Sequence, residues 1–377
     1  MSRPLLVYLA GAVWGDLVCQ DRQLAKRMTA SHDVLWVDPP VSWLARRGAT
    51  RELEQVAPNV HRLRVVGPPG VTRVGARSLA QRHLHREVAR ASSVLGTSIA
   101  GVVLANPYGS FGSIPGRRLL FVTDDWVAGA DLMGLSRKRI SALERRNVRQ
   151  AHVVAAVSAN LAATLHDRQG REVAVVPNGC DPVIGAAAAT AVPFDVALPS
   201  PVVGLLGQLN ERLDLDLLDA VAERDVSILV VGPRAERDPS TSARLDAFLG
   251  RDNVQWVGWQ RPEDLPTFLA AMKVGLTPYA DTAFNRASSP LKTFDYLAAG
   301  LQVVATALPA VSAREASLIA VETVPELYAD RVVQLLGQAD DPVQRQARLD
   351  VAARHSWQSR AADLLGLLLP QGRVGEL

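Results

Sequence analysis

A few residues, by type and spacing, could handle an anion. Ser289-Pro290-Leu291-Lys292-Thr293-Phe294-Asp295 reads as the start of a short helix. Ser289 suits the N-cap, because its hydroxyl can accept from an unpaired first-turn N–H. Pro290 suits the first helical position, where no N–H is required. The first turn of such a helix offers free N–H groups and the positive end of the helix dipole, a ready site for phosphate. Lys292 adds a cation there. Asp295, three residues on and on roughly the same face, could accept from a pair of sugar hydroxyls. Read alone, the run is equally a surface helix with a Lys–Asp pair, so the rest of the chain has to decide.

Other candidates sit where strands end. Leu119 to Val122 runs into Asp124-Asp125, and carboxylates at the tip of a parallel strand lie where open α/β sheets bind ligands. The pair is not a DxD metal motif. Gly11 and Gly15-Asp16 follow the first strand and could let backbone approach a ligand, but they form no GxGxxG and no dinucleotide fingerprint follows. Gly207 to Arg212 and Gly232-Pro233-Arg234 follow two later strands. His83 and His85 would point apart on a helix and make no metal pair. Cys19 and Cys180 give neither a disulfide framework nor metal-ligand spacing.

The elements that must position these residues alternate. A chain of 377 residues is long for one core and suits two domains. Strands are expected at Leu5–Ala10, Val34–Val37, Val60–Val66, Gly101–Ala105, Leu119–Val122, Val153–Val157 and Val173–Val176. Helices are expected up to Met28, over Arg73–Arg90, Arg137–Gln150 and Asn160–His166, with Ser158 as a cap. That makes residues 1–183 one doubly wound α/β domain. Residues 183–201 are rich in Ala and Pro and read as a loosely packed connection. A second βα series spans 201–354, with strands at Val202–Leu206, Ser227–Val231, Val254–Val257, Val274–Thr277 and Leu301–Thr306. Helices there are expected at Leu213–Ala222, at Asp264–Ala271 and after Ser289, the last stopped at Gly300. Residues 355–377 hold an amphipathic tail helix centred on Trp357.

Hydrophobic content of 48% with 21% charged residues fits a soluble globular protein. The apolar run Pro4–Trp14 is too short to span a membrane, and a first buried strand accounts for it. With no disulfide framework, the expected compartment is the cytoplasm. Charge divides unevenly: residues 1–183 carry 24 Lys+Arg against 14 Asp+Glu, and residues 184–377 carry 17 against 24. The Arg-rich segments 73–90 and 137–150 would draw an anionic acceptor or the anionic inner face of a membrane; solvated helix faces would read the same way. Nothing points to nucleic acid.

Three runs resemble glycosyltransferases of the GT-B class, and among them glycosyltransferase family four with its teichuronic-acid-type and natural-product relatives. They are Val175-Val-Pro-Asn-Gly-Cys-Asp181, similar to the family's VPNGVD run; Gly204 to Arg212, similar to its donor-diphosphate loop; and Ser289 to Thr306, similar to the helix and strand that carry the second acid of its E-x7-E motif. The resemblance implies a GT-B fold: two Rossmann-like domains facing a cleft, with a last helix crossing back to the first domain. It implies transfer of a sugar from a UDP-, GDP- or dTDP-sugar to an acceptor sugar, glycolipid or small natural product, with retention and without metal or other cofactor. On the donor side it implies Gly207, Arg212, Gly232, Arg234, Ser289, Leu291, Lys292 and Asp295. On the acceptor side it implies Gly11, Gly15, Asp16, Asp124 and Asp125, and as catalytic groups Asp125, Arg212 and Lys292. The sequence departs from the family at Gln208, where Arg is usual, and at Ala287, which stands at the first Glu of E-x7-E. Asn285, Arg286, Ser288 or Ser289 are the residues that could replace that Glu. The alternatives are a sugar-nucleotide epimerase or hydrolase of the same fold, in which Asp124 or Asp125 would act on a free sugar, and a catalytically inactive sugar-nucleotide-binding homologue, to which the missing first Glu points.

Overall fold

The structure, a computed structural model, describes residues 3–15, 20–42, 52–67, 76–131, 134, 136–289, 291–309 and 317–370. It divides into two units, Met1–Pro177 with Trp357–Leu377, and Asn178–Ser356.

In the first unit, short runs of Val, Leu and Ile form strands because they are buried on both faces, as central parallel strands must be. The elements are β1 (Leu5–Leu9), α1 (Gln20–Met28), β2 (Asp33–Val37), β3 (Val41–Ser42), β4 (Glu52–Ala57), β5 (Val60–Arg64), β6 (Val66–Gly67), α2 (Ala76–Leu95), β7 (Ile99–Leu104), β8 (Arg117–Val122), α3 (Arg137–Gln150), β9 (Val153–Ala156), α4 (Ala159–Gln169) and β10 (Ala174–Val175). The main sheet runs β10-β9-β8-β7-β1-β2-β5-β4, and only the edge pair β4–β5 is antiparallel. The half-buried, charged β4 carries no apolar alternation, which is why the sequence does not announce it. The chain leaves β1 for β2 on one side and for β7 on the other, so the sheet's switch point lies between β1 and β7. Ser158 caps α4 as expected, accepting from Leu161 N at 3.0 Å. The C-terminal helix Trp357–Leu368 packs on α1 and β8, and Leu368 fills the space left by the absent side chain of Gly101.

The second unit contains α5 (Val183–Thr190), β11 (Val202–Leu206), α6 (Leu215–Ala222), β12 (Ser227–Val231), α7 (Pro239–Leu249), β13 (Val254–Trp256), α8 (Leu265–Ala270), β14 (Val274–Thr277), α9 (Ala283–Ala287), α10 (Leu291–Ala298), β15 (Gln302–Ala305), β16 (Ile319–Val321), α11 (Pro325–Gly337) and α12 (Pro342–Arg354). Its sheet is wholly parallel in the order β13-β12-β11-β14-β15-β16, the doubly wound 3-2-1-4-5-6 arrangement, with the switch point between β11 and β14. Tyr296 joins α10 to the sheet: its fully buried hydroxyl accepts from Leu206 N at 2.7 Å and donates to Gly204 O at 3.1 Å.

The stretch expected as a loose connection is instead part of this unit. α5 lies against α8 and α10, so closely that a Cβ on Gly185 would fall 1.8 Å from Ala298 O. The unit boundary therefore falls at Pro177/Asn178 rather than after residue 183. Asn178 N donates to Ser289 Oγ at 3.3 Å and Asn178 Nδ2 to Ser289 O at 2.8 Å, while Cys180 N donates to His355 O at 2.9 Å. These long-range bonds hold the chain to the second unit immediately after Pro177.

Candidate functional site

The carboxyl ends of β11, β12 and β13 each continue into a glycine with positive φ: Gly207 at +127°, Gly232 at +147° and Gly258 at +71°. Gly207 N donates to Val231 O and Gly232 N to Gly258 O, so the three turns are hydrogen-bonded in series. A Cβ on Gly232 would sit 1.8 Å from Gly207 O. Gly232 is therefore part of the framework, there so that two turns can touch. On its other side Gly207 faces Lys292, whose Cγ and Cε would be in ordinary van der Waals contact, at 3.9 Å, with a Cβ there.

At the switch point a small pocket is lined by Leu206, Gly207, Gln208, Thr277 and Tyr279, among others. Thr277 Oγ1 is buried without a partner among the described residues. Two cations flank Tyr279. The guanidinium carbon of Arg212 is 5.2 Å from the Tyr279 ring centroid and 5.0 Å from that of Phe284. Arg212 Nε donates to Asn285 Oδ1 at 2.9 Å and Nη2 to Ser288 Oγ at 3.1 Å. Among the described residues it has no carboxylate partner, whereas Arg224, Arg234, Arg244, Arg251, Arg261 and Arg286 of the same unit all have one. Lys292 Nζ donates to Asp295 Oδ2 at 3.1 Å. Burial works against its charge, but the Asp295 carboxylate outweighs that, with Tyr279 also favouring the ammonium, and holds the group above the ordinary lysine range.

The residues expected on the donor side thus divide. Gly207, Arg212, Lys292 and Asp295 come together around Tyr279, with Leu291 at the first turn of α10. Ser289 lies beside them, but its hydroxyl takes Asn178 N across the unit; Pro290 lies outside the described residues. Arg234 is drawn away: it ion-pairs with Glu236 and Asp246 and donates to Ser242, so its charge is spent on the connection between β12 and α7. The candidates for the missing Glu are occupied too. Asn285 and Ser288 hold Arg212, Arg286 pairs with Asp281, and Ala287 is itself buried. Tyr279, Phe284 and Thr277 were missed by sequence reasoning; the only signal was that Thr277-Pro278-Tyr279 ends a strand.

In the first unit, Gly11 lies between strand ends: a Cβ there would be 2.9 Å from Ala105 O. Gly15 takes φ +100°, and Asp16 lies outside the described residues. Asp125, expected as a catalytic group, is 5% exposed, and its Oδ1 accepts from Val127 N, Ala128 N and Arg168 Nη2, which ties that oxygen to the turn after β8. Asp124 is partly exposed and lies close enough to Asp21 to raise its pKa.

Asp21 is the titratable group the sequence did not single out. It is 6% exposed, and its Oδ1 accepts from Tyr8 OH at 2.9 Å. Burial pushes its pKa up to about 7, Asp124 adds to the rise, and hydrogen bonds from Tyr8 and Gly11 offset part of it. A carboxyl whose pKa is raised on folding costs stability wherever the unfolded chain would ionise first. Asp21→Asn should therefore be neutral below about pH 4 and gain about 1.4 kcal/mol per pH unit up to pH 7. Urea denaturation at pH 4, 5.5 and 8 checks this; a gain independent of pH would refute it.

Residues 200–338 match the family described as glycosyl transferases group 1. Solved structures covering nearly the whole chain include sucrose-phosphate synthase from Thermosynechococcus elongatus (TM-score 0.70, 14% identity, 96% of this chain and 97% of that one). Another is the E. coli trehalose-6-phosphate protein bound with UDP-2-fluoro glucose (TM-score 0.71, 12% identity, 97% and 99%). The fold is GT-B. A teichuronic acid biosynthesis glycosyltransferase of Bacillus subtilis strain 168 is 29% identical over 161 residues. That match spans 41% of this chain and 40% of the relative. The group 1 segment, residues 200–338, contains Gly207, Arg212, Tyr279, Asn285, Lys292 and Asp295, and so the whole cationic cluster. No described helix is long and apolar enough to cross a membrane.

Proposed function

We propose that the chain is a glycosyltransferase that moves a sugar from a nucleoside-diphosphate sugar to an acceptor hydroxyl. The observation that carries the reading is Arg212: a guanidinium fixed by neutral acceptors and two rings, uncompensated by any described carboxylate, at the switch point of a doubly wound sheet. An oriented cation kept at full charge suits a diphosphate. Lys292 and the first-turn N–H groups of α10 complete the anion site. Asp295, whose Oδ2 holds Lys292, accepts from the ribose hydroxyls through Oδ1 on this reading.

As the bond from the anomeric carbon to the phosphate oxygen breaks, charge grows on the leaving diphosphate, and Arg212 and Lys292 stabilise it where a metal would otherwise be needed. On this reading the departing phosphate takes the acceptor's proton while the new C–O bond forms on the same face, which retains the anomeric configuration; Asp125, whose Oδ1 is tied to its own turn, orients the acceptor. The acceptor belongs to the first unit and is anionic, in keeping with the exposed cations Arg82, Arg86 and Arg90 of α2 and Lys138, Arg145, Arg146 and Arg149 of α3. On this reading the enzyme works in the cytoplasm.

The test is a thermal-shift series with UDP, GDP, dTDP and ADP, each against its monophosphate and nucleoside. One diphosphate should stabilise the fold by about 2.7 kcal/mol at a hundred times its Kd, well beyond its monophosphate, and EDTA should not change this. Equal shifts from diphosphate and nucleoside would refute the anion site. Turnover of the matching sugar nucleotide should need an acceptor; release of free sugar without one would favour the hydrolase reading.

A further inference from the structure

Asn285 is completely buried, and every hydrogen-bonding group it has is used. Its Oδ1 accepts from Arg212 Nε at 2.9 Å. Its Nδ2 donates to Arg212 O at 3.0 Å and to Ala280 O at 2.8 Å. Its own N–H donates to Thr282 Oγ1, the N-cap of α9, at 3.2 Å, and its carbonyl accepts from Ser288 Oγ at 2.8 Å. Ser288 Oγ in turn accepts from Arg212 Nη2. One carboxamide thus grips both the main chain and the side chain of a residue 73 positions earlier, while Tyr279 and Phe284 set the plane of the guanidinium.

The chemistry of the grip matters as much as its geometry. An aspartate has nearly the same shape and would also accept from Nε, but it would cancel the charge of Arg212 and set an oxygen against the Arg212 and Ala280 carbonyls that Nδ2 now serves. One residue along, Arg286 shows that outcome, paired with Asp281 and exposed. In a half of the chain that carries 24 acids against 17 bases, a cation without a carboxylate needs a neutral holder.

We propose that Asn285 is a positioning residue: it presents Arg212 to the diphosphate as an oriented, uncompensated cation. It takes no part in reading the donor sugar. The inference rests on the reading of Arg212 as a diphosphate ligand. A completely buried carboxamide with both its N–H bonds given to main-chain carbonyls and its oxygen on Arg212 is closed to a sugar hydroxyl, and one that faces only neutral groups leaves the full positive charge for the ligand.

Binding of UDP, or of whichever diphosphate gives the largest shift above, is measured by calorimetry on the intact chain. Arg212→Ala should bind it at least about tenfold more weakly, a loss of ~1.4 kcal/mol, and added guanidinium ion should restore part of that affinity, because Asn285 keeps the slot. In the double variant Arg212→Ala/Asn285→Ala guanidinium should restore nothing. Asn285→Asp, which keeps the side-chain volume, should weaken the diphosphate at least as much as Arg212→Ala does. The matching nucleoside, which has no phosphate, should bind every variant as it binds the parent. Equal rescue with and without Asn285, or parental diphosphate affinity in Asn285→Asp, overturns the inference and leaves the diphosphate site standing. Parental affinity in Arg212→Ala overturns the diphosphate reading and the inference together.

Discussion

Arg212→Ala should lower kcat for sugar transfer by about 10²–10³, the usual cost of removing one preorganised donor aimed at developing charge. The loss should exceed that in ground-state binding, because the leaving diphosphate carries more charge in the transition state than in the bound donor. Arg212→Lys should recover little. The ammonium would keep the charge but lose the planar fork that Asn285 and Ser288 hold at two nitrogens, and it would stack poorly between Tyr279 and Phe284. Steady-state kinetics on the three proteins, with circular dichroism to confirm the fold, gives the comparison. A kcat within twofold of the parent for Arg212→Ala would remove Arg212 from the chemistry.

Gly232→Ala should be among the most damaging single substitutions in the second unit. A methyl at this position meets Gly207 O at 1.8 Å, and that oxygen is backbone held by the sheet. The residue also sits at φ +147°, which only glycine adopts without strain. Overpacking costs about 1–3 kcal/mol and a strained backbone about 1–3 kcal/mol more, so the expected destabilisation is about 2–6 kcal/mol. Gly258→Ala is the control. It too has a positive φ, +71°, but nothing lies within 4 Å of its added methyl, so it should cost only the strain. Urea midpoints of the two variants should differ in that order, and similar midpoints would show that the contact with Gly207 relaxes freely. Because Gly207 also borders Lys292, Gly232→Ala should weaken diphosphate binding even where it stays folded.

Local signals predicted much of the fold. Buried runs such as Leu5–Leu9, Val202–Leu206 and Ser227–Val231 become strands because apolar β-branched stretches of that length have few other fates in a doubly wound sheet. Helix limits carried by a cap or a glycine were legible as well: Ser158 caps α4, and Gly300 takes φ +75° after α10. Elements without such marks were not legible. β4 is half-buried and charged, and α5 was hidden by an Ala- and Pro-rich composition. Three further helices were passed over although the sequence marks their starts: Asp238-Pro239 opens α7, Pro325 opens α11 and Asp341-Pro342 opens α12.

The site follows the same division. The sequence alone determined that two βα series exist, that a helix start with Lys292 and Asp295 follows the fourth strand of the second, and that Arg212 follows its first. Each of these is a matter of neighbours in the chain. Whether a given cation is free for a ligand is decided by residues far away in sequence. Asp246 spends the charge of Arg234 from twelve positions on, while Asn285 and Ser288 keep that of Arg212 from more than seventy. Asp125 stands at a strand tip in the sequence, and only the fold brings Arg168 and two backbone amides onto its Oδ1. Charge compensation acts through space over a few ångströms, and only the tertiary structure says which groups those few ångströms contain.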